Sequence, residues 1–137
     1  MPVVSELIRV EDDGTISFGN YELAAKSKLS DFEFKGDLYK VKTFAEITKL
    51  ELNGMSVYES VPGTAANHFK AGDSSVTFQV EGNQDAQITV QMEDSREYEV
   101  YVDGVSIGGM KTNMSGKLVL SVELTEGKAT EIRIEGR

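Results

Sequence analysis

Strict alternation of apolar and polar residues is what most limits the folds open to this chain. It is plainest in Glu97-Tyr98-Glu99-Val100-Tyr101-Val102 and in Lys117-Leu118-Val119-Leu120-Ser121-Val122-Glu123-Leu124. Side chains along a strand point alternately to opposite faces, so a period of two marks a strand with one buried and one wet face. The pattern recurs from Thr15 to Glu135 and is broken mostly by turn residues. It predicts an all-β protein, an antiparallel β-sandwich of the immunoglobulin-like or jelly-roll-like kind, with about nine to eleven strands.

The punctuation supports that reading. Asp13-Gly14, Lys35-Gly36, Asn53-Gly54 and Asp103-Gly104 are hairpin signals, because these pairs tolerate the left-handed backbone that tight hairpins need. Residues 3–10 read as an edge strand, and Ala24-Ala25-Lys26-Ser27-Lys28 as a short helical turn. Phe32, Phe34, Tyr39, Val41, Thr48, Leu50 and Leu52 are predicted to face inward, with Met55 and Val57 returning on the same parity. The alternation stops between Ser60 and Ser75, so residues 61–75 read as a long connection that crosses between the sheets. Gly108-Gly109 reads as a bulge or hairpin feature. No repeat of fixed period links the halves, and the 137 residues form one domain able to bury a substantial core.

Charge and composition exclude several functions. Asp and Glu number 23 against 14 Lys and Arg, a net charge of −9, so the average field repels nucleic acid and anionic membranes. No apolar stretch approaches the roughly 18 residues that cross a bilayer. The absence of cysteine removes disulfides, thiolate metal sites and thiol nucleophiles together. The start, Met1 to Asp13, carries Glu6, Arg9, Glu11, Asp12 and Asp13 rather than a secretory pattern, which predicts a cytoplasmic protein; a trimmed leader would leave the same start.

Two resemblances can be placed on particular residues. The C-terminal half, through Tyr98-Glu99-Val100-Tyr101-Val102-Asp103-Gly104, Gly116-Lys117-Leu118 and Glu131-Ile132-Arg133-Ile134, resembles bacterial immunoglobulin-like and fibronectin-type modules. Through Gly14-Thr15-Ile16-Ser17-Phe18-Gly19-Asn20-Tyr21 and Tyr58-Glu59-Ser60-Val61-Pro62-Gly63-Thr64, the chain is also similar to a group of short bacterial all-β proteins under the label endosialidase. That second resemblance implies sialic acid chemistry. Such chemistry asks for arginines clustered on a substrate carboxylate and an activated Tyr, whereas the arginines here, Arg9, Arg96, Arg133 and Arg137, are dispersed.

Other catalytic patterns are equally thin. Glu97, Glu99, Glu123, Glu131 and Glu135 alternate with core residues and read as the wet faces of strands. His68 is the sole imidazole, and no Gly-x-Ser-x-Gly elbow accompanies it. One His cannot build an ordinary zinc site, and Glu11-Asp12-Asp13 and Asp94-Ser95 lack the spacing of a calcium loop. The reading is therefore a non-catalytic module for protein assembly or ligand recognition, without cofactor or metal. Its partner is a second copy of the chain, a protein or a glycan, with a carbohydrate-active protein as the alternative. Tyr58 and Tyr101 fall on the parity opposite to the apolar set of their strands, which predicts exposed rings suited to an interface or to stacking on a sugar. With Glu59 and His68 beside the irregular segment and Asp103 beside a turn, they make up the candidate binding set.

Overall fold

The computed structural model describes residues 3–72 and 74–136; Met1, Pro2, Asp73 and Arg137 lie outside it. A short hairpin, β1 (Ile8–Val10) and β2 (Ile16–Phe18), leads into a four-strand meander of β3 (Ser27–Phe34), β4 (Asp37–Phe44), β5 (Ile47–Leu52) and β6 (Met55–Val61). The chain then alternates between two sheets through β7 (Ala65–Ala71), β8 (Ser75–Glu81), β9 (Ala86–Gln91), β10 (Glu97–Val102), β11 (Val105–Lys111), β12 (Lys117–Val122) and β13 (Thr130–Gly136). The first sheet has the order β1-β2-β7-β8-β13-β10-β11 and the second β12-β9-β6-β5-β4-β3, with every neighbouring pair antiparallel. The protein is an all-β sandwich with no helix among the described residues, so none there is long and apolar enough to cross a membrane.

Thirteen strands exceed the nine to eleven expected, for local reasons. The N-terminal strand is confined to Ile8–Val10 and pairs with a second three-residue strand, while residues 24–26 form no helix and lead into β3. The supposed long connection is mostly β7, a strand inside the first sheet. Only 62–64 make the crossing from β6 to β7. Gly63 is needed there because a Cβ would run into the Phe44 carbonyl oxygen, while its N–H donates to Ala45 O at 3.0 Å.

The turns carry the backbone their residues promised. Lys35-Gly36, Asn53-Gly54 and Asp103-Gly104 all have positive φ at both positions, the combination that lets a two-residue loop follow the twist of its strands. Asn53 adds a side-chain clasp, accepting from Leu38 N at 2.9 Å and donating to Asp37 Oδ1 at 3.0 Å.

The core lies between the sheets. Phe18, Phe69 and Phe78 from the first sheet meet Tyr58 from the second, with edge-to-face centroid distances of 5.1 Å for Phe18–Tyr58 and 5.5 Å for Tyr58–Phe78. Val41, Leu50, Ile88, Val90, Leu118 and Leu120 complete the second sheet's inner face. Beside the aromatic cluster lies a fully buried hydroxyl network. Thr48 Oγ1 donates to Thr64 O at 2.7 Å and accepts from Thr64 N at 3.1 Å. With its one proton so used, Thr48 must accept from Thr43 Oγ1 at 2.8 Å. Tyr58 Oη and Ser60 Oγ both lie 2.8 Å from Thr64 Oγ1. Among the described residues every buried side-chain nitrogen and oxygen has a partner.

Candidate functional site

The five candidate residues do not form one site. Tyr58, expected on the surface, is fully buried, and the cause is a β-bulge. In the β5–β6 pair Leu50 faces Tyr58 but Glu51 faces Ser56, so Val57 is an extra residue that reverses the parity of the rest of the strand. Tyr58 and Ser60 therefore point into the core and Val57 packs against its margin, while Met55, expected inside and paired with Leu52, is exposed at the turn end of the strand. Burial pushes the Tyr58 phenol up to about 12, opposed in part by its hydrogen bonds to Thr64 and Ser60. Glu59 lies on the opposite face of the second sheet, in register with Lys49 and Thr89.

His68 occupies a second bulge. Asn67 pairs with Gln79 and Lys70 with Thr77, leaving His68 and Phe69 opposite Phe78 alone. His68 takes the left-handed backbone, φ 55°, and turns its ring outward while Phe69 stays in the core. Its N–H, displaced from the ladder, donates to Ser17 Oγ at 3.1 Å; Ser17 donates to Glu11, which also accepts from Arg9 Nε at 3.0 Å. The Ser17 hydroxyl, followed by Arg9, holds the Glu11 carboxyl below its ordinary range.

The His68 ring meets Asp13 Oδ2 at 3.0 Å and Thr15 Oγ1 at 3.2 Å, both through Nδ1. Thr15 gives its proton to Asp13 Oδ1 at 2.5 Å and its N–H donates to the same oxygen at 3.0 Å. These Thr15 bonds, with His68 behind them, lower the Asp13 carboxyl. A nucleophilic triad needs the carboxylate on one imidazole nitrogen and the hydroxyl on the other. Here both sit on Nδ1 and the hydroxyl proton is committed to the carboxylate, so this arrangement orients the imidazole without activating Thr15.

Tyr101 and Asp103 lie toward the other side of the first sheet. Tyr101 is half-buried on the outer face, and the Arg133 guanidinium lies over its ring at 4.1 Å from the centroid, with Arg133 Nη1 3.4 Å from Glu135 Oε2. Asp103 shapes the β10–β11 turn and accepts from Glu131 N at 2.9 Å. Arg9 and Arg96 are likewise paired with glutamates, Glu11 and Glu93. No group of three or more His, Asp or Glu able to hold a metal ion occurs among the described residues.

The feature that sequence reasoning missed is a sheet edge. β1 has three residues. β3 is bulged, since Leu29 pairs with Val41 and Phe32 with Tyr39, and Asp31 has φ 59°. β11 is bulged at Ile107, with Gly108 at φ 112°. β12 differs from all three: its six residues pair with β9 in unbroken register from Lys117 to Val122. Leu118, Leu120 and Val122 face the core, while Val119 is 47% exposed on the outside. Met114, 88% exposed, stands in the turn that opens β12. Only sheet order reveals an edge, which is why the alternation of this strand did not.

No family model, curated protein or solved structure matches the chain.

Proposed function

We propose that this chain is a non-catalytic β-sandwich module that assembles with a second copy of itself through β12, extending the six-stranded sheet across a two-fold axis. The contrast among the four edges carries the reading. An unprotected regular edge offers a row of backbone donors and acceptors to any second strand, and β-proteins that stay apart shorten, bulge or charge such edges. Three edges here are short or bulged, and β12 is neither.

An antiparallel register centred on Leu120 keeps inner and outer faces aligned. It sets Leu118 against Val122 of the second copy on the core side and Lys117 against Glu123 of the second copy on the outside. Opposite charges so placed contribute about 0.2 to 1 kcal/mol per pair, and the two-fold axis repeats each pair. In the single chain the Lys117 ammonium lies back on the Ser56 carbonyl at 3.2 Å, on the same outer face. The test is a charge exchange. Lys117→Glu and Glu123→Lys should each weaken the dimer, and the double variant should restore it; single variants that dimerise like the parent, or a double variant that stays dissociated, contradict the register.

A second reading, carbohydrate binding, is supported by the outer face of the first sheet. Register there places Ser106, Tyr101, Arg133, Thr77 and Lys70 in one transverse row, with His68 next to Lys70 across the bulge. Such a row supplies paired donors and acceptors for sugar hydroxyls. A glycan array tests it: binding that is lost in Tyr101→Ala supports the reading, and a silent array contradicts it.

A further inference from the structure

We infer that the open end of the sandwich is a binding site for a small molecule with an apolar body and an anionic head, a medium-chain or aryl carboxylate. At the end marked by the Lys35-Gly36 and Asn53-Gly54 turns, the two sheets part around a cleft of about 330 Å³. That is at the small end of the roughly 300 to 1,000 Å³ of ligand pockets. The tight turns explain why it is open: two-residue loops leave no chain to fold across the end of the core.

The walls are apolar and come from both sheets. Phe34, Tyr39, Leu52 and the bulged Val57 of the second sheet face Ile16 and Phe69 of the first. Val57, the extra residue of the β6 bulge, stays on this wall while Tyr58 beside it also turns into the core. The mouth is polar. Lys35 Nζ lies 5.2 Å from the Phe34 ring centroid and 3.9 Å from the place a Cβ on Gly14 would occupy, so the ammonium reaches from the turn of one sheet to the turn of the other. Lys70 also lines the cleft, and neither ammonium has an ion-pair partner among the described residues. The lining carboxylate, Asp37, is engaged by Asn53 Nδ2 at 3.0 Å.

Lys35, whose ammonium reaches across the mouth of the apolar cleft, and Lys70 beside it favour an anion with a hydrophobic tail over a cationic one, against the average field of a chain of net charge −9. The site is independent of the β12 edge, so either stands if the other fails.

The test uses anilinonaphthalene sulfonate as a fluorescent probe on the folded chain, with decanoate and decylammonium as competitors. Saturable binding at one site is expected, displaced by decanoate at least about tenfold more effectively than by decylammonium. Lys35→Glu with Lys70→Glu changes only exposed side chains and should weaken the probe by about tenfold or more. Val57→Phe should fill the cleft and abolish binding. No saturable binding below about 1 mM, equal displacement by the cation, or full affinity in the double lysine variant overturns the assignment.

Discussion

The Tyr58 hydroxyl lies 2.8 Å from Thr64 Oγ1, so the strand that leaves the second sheet is tied to the first residues it reaches in the crossing to the other. Thr48 holds the Thr64 backbone from the other side, through both its N–H and its C=O. The short passage 62–64 is thus fixed by buried hydroxyls rather than by apolar packing. Buried polar groups of this kind add little net stability when satisfied and cost heavily when one partner is removed.

Thr48→Val is accordingly predicted to be expensive for a nearly isosteric change. It strands the Thr64 N–H and C=O and the Thr43 hydroxyl in a dry interior, a loss of about 2 to 4 kcal/mol. Thr77→Val, on the outer face of β8, should cost under about 0.5 kcal/mol. Urea unfolding of the two variants checks the difference, and equal midpoints contradict the network.

Alkaline pH should destabilise the fold through Tyr58. The unfolded phenol ionises near 10.0 and the folded one at about 12, so the folded state keeps its proton over a range where the unfolded chain has lost it. This share of stability is fully present below about pH 10 and is lost as pH rises to about 12, to the extent of about 3 kcal/mol. Burial raises Tyr21 and Tyr39 in the same direction, so Tyr58→Phe should flatten the stability profile without levelling it. An unchanged slope contradicts the assignment to Tyr58.

At acid pH the corresponding group is Asp13. Hydrogen bonds from Thr15, then His68, lower its carboxyl, so the stability it contributes is present above the ordinary aspartate range and is lost as pH falls through the depressed folded value. Thr15→Val removes the side-chain bond and should move the Asp13 titration upward. Carbon-detected NMR of the carboxyl resonance measures this; no movement would show that Thr15 does not hold the carboxylate.

The legible and illegible parts of the structure divide along physical lines. Alternation and turn chemistry are local, so the two-sheet, all-β architecture and the hairpins at Asn53-Gly54 and Asp103-Gly104 could be read from the chain. A bulge adds one residue with no local mark, yet it reverses every later side chain in the strand. That is why the alternation of β6 puts Tyr58 outside, and why β7, whose bulge at His68 and Phe69 breaks the alternation, reads as a loop. Tyr101 was placed on the outer face because β10 itself carries no extra residue; the bulge lies in β11. The β12 edge and the open-end cleft depend on which strands become neighbours or face each other across the core, and that is decided by contacts remote in sequence.

The central claim is self-association through β12, and its most direct test is the solution mass of the unmodified chain, by light scattering behind a sizing column over a dilution series. The account predicts a species of twice the 15.0 kDa chain mass that dissociates on dilution and is weakened in Glu123→Lys. A mass of 15.0 kDa at every concentration would contradict it.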